Sequence, residues 1–216
     1  MHATLPTNES EPSAGARTAI LGAAQDIFAR VGLAGARTDA IAAKAAVNKA
    51  LLYYYFQSKD ELYRAVLEEQ MKEFHKRAME VLAEKGPASR TLVRYVSLYF
   101  DFLSGRRYFP ALYQRLIMTG DKCVADLVRK YAVPRNRRLL ALIRRGIREG
   151  EFRRVDPHHT AISLVALSVF YFAAAPMIRT VVHADPFAQA NVARRKQEVL
   201  EFIRYGLLRK PGVICL

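Results

Sequence analysis

The chain has 216 residues, 34 Lys and Arg against 20 Asp and Glu, and a formal net charge of +14. At 51% hydrophobic and 25% charged residues, it is neither a disordered tail nor too short for a core, and it fits one large domain or a small domain joined to a larger one. Its two cysteines, Cys123 and Cys215, are too few and too far apart for a disulfide framework or a zinc site, and the basic balance favours an anionic partner.

The first 16 residues are polar and rich in Pro and Ser, with no apolar segment, and read as a disordered arm rather than a signal peptide. From Arg17 onward helical spacing dominates and no strand pattern stands out. Ile20, Ala24, Ile27, Phe28 and Val31 form one apolar stripe, and Gly32 is expected to stop that helix. Thr38 is expected to cap a second, short helix, with Asp39 in its first turn and Ile41, Ala42 and Ala45 inside. Asn48 is placed to cap a third. Ser58 and Glu61 form an S-x-x-E capping box for a long fourth helix, which runs to about Lys85 and ends at Gly86-Pro87. Further helices are expected at about 88–104, 108–119, 122–149, 157–182 and 190–209. Asp156-Pro157 and Asp185-Pro186 supply cap-plus-proline starts, Gly150 a C-cap, and Pro134 a kink or split.

The stretch LLYYYFQSKDEL puts Tyr53, Tyr54 and Tyr55 in succession. Consecutive helical residues diverge by about 100°, so three tyrosines cannot share one core face. Leu52 and Phe56 are four apart and pack inward with Val47, which leaves Tyr53 and Tyr54 mostly outside and Tyr55 part core, part rim. Phenol hydroxyls reach phosphate oxygens, Lys49 can meet a base edge or phosphate, and Lys59 can neutralise a phosphate.

Residues 17–63 resemble the DNA-binding domain of the TetR family of bacterial transcriptional regulators. The resemblance is carried by Thr18-Ala19-Ile20-Leu21 with Ala23-Ala24, by Phe28, Gly32, Thr38, Ile41-Ala42 and Val47, and by LLYYYFQSKDEL. It implies an all-α protein with three parts: an arm at 1–16, a three-helix helix-turn-helix domain at 17–63, and a helical effector-binding and dimerisation domain at 64–216. It also implies a homodimer on a palindromic double-stranded operator, with each third helix in the major groove. By position Thr38, Tyr53, Tyr54 and Lys59 would contact phosphates, Asn48, Lys49, Ala50 and Leu51 would face bases, and Arg37 would meet the backbone. The family usually carries glycine where Ala46 stands; a left-handed non-glycine residue there costs roughly 1–2 kcal/mol.

The charge lies elsewhere. Residues 1–70 hold 7 basic and 8 acidic side chains, and residues 71–216 hold 27 and 12. The basic excess reads as a solvated arginine-rich face, an aid to DNA attraction, or a lure for an anionic effector. In the C-terminal part Tyr95, Tyr99, Phe102, Tyr113, Met118, Phe170 and Tyr171 suit a mostly apolar effector pocket with sparse polar anchors, and equally an ordinary core. The uncharged run from Ala161 to Ile178 approaches membrane-spanning length. Its serines, Pro176 and the lack of a second apolar span favour burial against a partner subunit instead. Val165, Val169, Val199, Phe202, Ile203 and Gly206 are therefore expected in a four-helix dimer interface.

No phosphate-binding loop, dinucleotide fingerprint, zinc motif or catalytic triad spacing is present, so no enzyme activity, cofactor or metal is expected. The reading is a cytoplasmic, ligand-responsive repressor released from its operator by a small-molecule effector, an anionic or amphipathic one. The alternatives are an activator or ligand-independent DNA-binding protein of the same fold and, beyond it, a helical enzyme or membrane-associated protein.

Overall fold

A computed structural model describes residues 14–106, 109–110 and 122–209. Helices make up most of these, and the only β-pairing among them is an isolated antiparallel bridge between Phe152 and Leu208. The chain divides into two compact units, with the boundary between Leu67 and Glu68 inside a helix.

The first unit holds α1 (Ala14–Gly35), α2 (Thr38–Lys44), α3 (Lys49–Tyr55) and the start of α4 (Lys59–Leu82). Ile20, Ala24, Phe28, Ile41, Leu52, Phe56 and Leu62 are buried in its core, with Tyr63 set edge-on to Phe28 at 5.0 Å. Val31, expected on the stripe, is 52% exposed. Gly32 does break α1, taking φ 71° and ψ 178°, but one further turn follows to Gly35. Ala46 takes φ 54°, so the turn before α3 keeps the left-handed conformation although its residue carries a Cβ. At the start of α4 the Ser58 hydroxyl accepts from the Glu61 amide at 3.1 Å. The Glu61 carboxylate reaches back to the Gln57 amide at 2.9 Å, one residue earlier than in a standard capping box.

The second unit contains the rest of α4, α5 (Ala88–Ser104), α6 (Lys122–Leu127), α7 (Val133–Arg148), α8 (Pro157–Ala173), α9 (Ala175–Val182) and α10 (Gln189–Leu207). Helix α5 is central and packs on α7, α8 and α10. The helix expected at 108–119 falls largely outside the described residues. Between α6 and α7 a π-helical turn, Val128–Ala132, precedes Pro134. Proline has no amide to return to the carbonyl four residues back, and the widened turn admits it without ending the helical path.

Helix α7 closes in a Schellman motif. Gly150 has φ 75°, its amide donates to Ile147 O at 3.2 Å, and the Glu151 amide donates to Gly146 O at 2.9 Å. The chain then turns so that Phe152 lies on Gly146, and the segment pairs with the end of α10 through Arg153 N to Leu207 O at 2.9 Å and Arg209 N to Glu151 O at 2.8 Å.

Two expectations are corrected here. The helix foreseen at 157–182 is broken at Ala174, and α8 and α9 meet at a 72° bend, because Pro176 starts a new helix rather than continuing the old one. No single helix among the described residues is long and apolar enough to cross a membrane. Asp185 does not cap the last helix, which begins at Gln189; its carboxylate instead accepts from the Arg179 guanidinium at 2.8 Å. Asp156 does cap α8, accepting from the His159 amide at 2.8 Å.

Candidate nucleic-acid interface

The outer face of α3 is assembled by the burial of its inner face. Leu52 and Phe56 are 0% and 2% exposed, which fixes the helix against α1 and α2, and leaves Tyr53 and Tyr54 41% and 68% exposed. Asn48 caps α3 as expected: its extended backbone lets the side-chain oxygen accept from the Leu51 amide at 2.6 Å. Its amide oxygen is therefore committed to the helix, while the residue stays exposed beside exposed Lys49 and Ala50; Leu51 is half-buried.

Thr38 is not the cap of α2. Arg37 holds the extended cap position, without a side-chain bond, and Thr38 is the first helical residue. That places the Thr38 hydroxyl 3.3 Å from the Tyr53 hydroxyl, so two residues expected at phosphates share one hydrogen bond. Lys49 meets Asp39 at 2.7 Å. This pairing raises the lysine and lowers the aspartate from their ordinary values, chiefly through the hydrogen bond between them. The Lys59 ammonium donates to Ala36 O at 3.1 Å and Ala34 O at 3.5 Å, where it serves the C-terminal carbonyls of α1. Sequence spacing gave no sign of this contact, because its acceptors lie more than twenty residues away.

The aromatics of the C-terminal unit do not all come together. Tyr95, Tyr99 and Phe102 are buried around Phe74, with ring centroids 6.5, 4.5 and 4.8 Å from it. Tyr113 and Met118 lie outside the described residues. Phe170 is 57% exposed, because its neighbour Phe172 takes the inward position against Phe100 at 5.3 Å. Tyr171 is half-buried with Arg195 over its ring at 5.5 Å, and burial pushes its phenol up.

Two residues of the buried cluster were not singled out from sequence. Phe74 belongs to the stripe Leu67, Met71, Phe74, Ala78 and Leu82 on α4, all buried. Arg135 sits 4.7 Å over the Phe74 ring and is 9% exposed. Its signal was legible: it interrupts an otherwise apolar stripe with Tyr131 and Leu139 at four-residue spacing.

Of the residues expected between subunits, Val199 and Ile203 are buried within their own unit, Val165 and Val169 are half-buried, and Phe202 and Gly206 are exposed. Phe202, Ile203 and Gly206 line a groove of about 360 Å³ with Leu164 and Leu167 of α8. Ile162 and Tyr205 add exposed apolar surface on the same two helices. Among the described residues no group of three or more His, Cys, Asp or Glu side chains is placed to hold a metal.

Comparison with known proteins agrees with this layout. Residues 20–66 match the family model of bacterial regulatory proteins, tetR family. Residues 89–203, more than half of the chain, match the tetracyclin repressor-like C-terminal domain. The chain is similar to the HTH-type transcriptional regulator RutR of Escherichia coli, with 27% identity over 192 residues that cover 87% of this chain and 90% of the relative. Among solved structures it is similar to a transcriptional regulator of Saccharomonospora viridis in complex with choline, with a TM-score of 0.75, 23% identity and coverage of 92% and 100% of the two chains. FadR of Bacillus subtilis, in complex with stearoyl-CoA, gives a TM-score of 0.69 at 20% identity, with coverage of 86% and 96%. The chain belongs to the tetR family of bacterial regulatory proteins and is a helix-turn-helix transcriptional regulator.

Proposed function

We propose that this family member acts as a homodimeric repressor that binds a palindromic operator and leaves it when a small molecule occupies its C-terminal domain. The observation that carries the reading is the outer face of α3, where Lys49, Ala50, Tyr53 and Tyr54 stand exposed on a helix whose inner face is sealed. In this reading Tyr53, Tyr54, Thr38 and Arg37 position the helix on phosphates, and Asn48, Lys49, Ala50 and Leu51 face base edges. Lys59 approaches a phosphate while still bonded to the carbonyls of α1. Residues 17–63 form the DNA-binding domain, and 64–216 the effector-binding and dimerisation domain. The site of action is the cytoplasm, on chromosomal DNA.

The dimer is proposed to form through the exposed face of α8 and α10 around Phe202 and Gly206. Two such helix pairs build a four-helix interface, with the groove beside Phe202 receiving a side chain of the second copy. An effector then acts by population shift: it favours a dimer whose recognition helices no longer match major grooves about 34–36 Å apart. Helix α4, which begins directly after the reading head and continues past Leu67, is the lever.

Ligands carried by relatives of this fold differ in charge, choline and stearoyl-CoA among them, so the fold alone does not select an effector. The test is a footprint of the purified protein on the DNA flanking its own gene, with and without candidate effectors. Two protected half-sites that are released by an effector support the reading. An effector that binds to saturation and leaves the footprint unchanged removes the repressor mechanism.

A further inference from the structure

The cations of the first unit divide into those the chain engages and those it leaves open. Lys44 is paired with Asp26 at 2.9 Å and Lys49 with Asp39 at 2.7 Å, and the Lys59 ammonium lies on the carbonyls of Ala36 and Ala34. Arg17, Arg30, Arg37 and Arg64 have no ion-pair or hydrogen-bond partner among the described residues. Of these four, Arg17 is the one seated on a described ring: its guanidinium lies 5.4 Å from the centroid of Phe56. Phe56 is the residue that ends α3, and its ring is not isolated. Tyr54, 68% exposed on the outer face, meets Tyr55 edge-on at 5.4 Å, and Tyr55 leans on Phe56 at 6.4 Å. A row of rings thus runs from the outer face of α3 to a guanidinium carried by α1. Arg17 is exposed, so the ring holds it in place without taking up its N–H donors, which lie in the guanidinium plane.

The other end of α3 has an open cation of its own. The starts of α2 and α3 are joined by the Asp39–Lys49 pair, and Arg37 immediately precedes α2. The 7 residues of α3 span about 10 Å, and the major groove is about 12 Å wide. Two open guanidiniums at opposite ends of such a helix are spaced for phosphates on both rims of the groove.

We propose that Arg17 is a phosphate anchor of the DNA interface, holding the backbone at the C-terminal end of α3, across the groove from the phosphate met by Arg37. The anchor rests on the reading of the outer face of α3 as the surface that enters the groove, and it brings α1 into that interface. A plainer role for Arg17, a lid over the Phe56 ring, needs its aliphatic stem and not its charge. The two roles therefore separate on substitution.

The experiment uses the full chain as wild type, Arg17→Met, Arg17→Gln, Arg17→Lys, Arg30→Met and Arg37→Met. Fluorescence anisotropy with a labelled mixed-sequence duplex, over a salt series, reads phosphate contacts, because binding to such DNA is essentially all electrostatic. Melting curves on the same samples read the fold. Arg17→Met is expected to flatten the slope of log affinity against log salt by about 0.9 for each bound subunit, the loss of one phosphate contact. It should melt with the wild type, since the stem still covers the ring. Arg17→Gln repeats the test with a polar neutral chain, so a fold defect peculiar to one variant does not decide it. Arg17→Lys should keep most of the slope. Arg30→Met removes the same charge from α1 about 20 Å further along and should alter the slope less.

An unchanged slope in both neutral Arg17 variants overturns the proposal and leaves the lid. Equal flattening by Arg30→Met also overturns it, since net charge alone would then account for the effect. A slope flattened by Arg37→Met and not by the Arg17 variants removes the anchor and keeps the reading of α3. Slopes unchanged by Arg37→Met and by the Arg17 variants remove both.

Discussion

Asp39 and Lys49 meet at 2.7 Å across the two short helices of the reading head, and both side chains are about half exposed, at 57% and 51%. An exposed pair of this kind contributes little to folding, but it places a carboxylate beside the cation proposed to face the bases. Asp39→Asn should therefore strengthen binding to all DNA, operator or not, and steepen the dependence on salt, because one more unopposed cation meets the phosphate field. Lys49→Ala should instead change which operator is preferred. Fluorescence anisotropy against several duplexes over a salt series checks both. If Asp39→Asn leaves affinity and slope unchanged, the pair does not face DNA.

Lys59 is expected from its position at a phosphate, and its ammonium lies on the carbonyls of Ala36 and Ala34. Lys59→Met keeps the length and the apolar stem but removes the donor, and should cost about 1 kcal/mol of stability through the lost charge-assisted bonds. The melting curve reads the structural part and the salt slope of DNA binding reads the phosphate part. A shallower slope with no loss of stability would mean that the carbonyl contacts contribute nothing to the fold.

Ala46→Gly tests the turn before the recognition helix. At φ 54° the alanine Cβ is in the strained left-handed region, and glycine should recover roughly 1 kcal/mol. The variant should melt higher and keep its operator preference. A lower melting temperature would mean that the greater freedom of glycine in the unfolded chain outweighs the relieved strain.

What could be read from the sequence follows the range of the forces involved. The caps of Asn48 and Asp156 and the stop at Gly150 are local, and each is written within a few residues. The reading head was legible because α2 and α3 are short, and Leu52 and Phe56 fix the phase of α3. The bend at Ala174 was not, since an uncharged run gives helical periodicity nothing to show, and Pro176 suits either a kink or a fresh start. The partners of Lys59 and Asp185 were hidden for the same kind of reason: a side chain that can cap a neighbour locally can also be claimed by a group that only tertiary structure brings near. Arg135 shows the other limit. A charge on an apolar stripe is visible in the sequence, but that it lies over the Phe74 ring is decided by the packing of α4.

Gly146→Ala should be among the more damaging single-methyl changes. A Cβ there would stand 2.4 Å from two ring carbons of Phe152, itself 2% exposed and therefore without room to retreat. The cost should be about 1–3 kcal/mol, as for overpacked cores. Phe152→Leu on the same background should recover part of the loss, which a denaturation cycle of the two single variants and the double variant measures. Strict additivity would place the damage in the helix rather than in this contact.

Glu151 works as a cap supplied from another element: its carboxylate accepts from the Ala88 and Ser89 amides at 2.8 and 2.9 Å and from the Ser89 hydroxyl, at the start of α5. Burial pushes this carboxyl up, but the Ser89 hydroxyl, the two amides and Arg145 outweigh it and hold it below its ordinary value of 4.5. A lowered folded-state value means that the ionised form contributes stability, fully present above the ordinary value and lost as pH falls through the folded-state value. Glu151→Gln should cost about 1 kcal/mol at neutral pH, in line with the loss of a helix cap. The gap between variant and wild type should then close as the pH is lowered from 4.5. Urea melts at a series of pH values give this difference directly. A gap that stays constant into acid would mean that the charge of Glu151 is irrelevant and only its shape is used. A gap that widens would reverse the sign of the linkage and place the protonated form in the folded state.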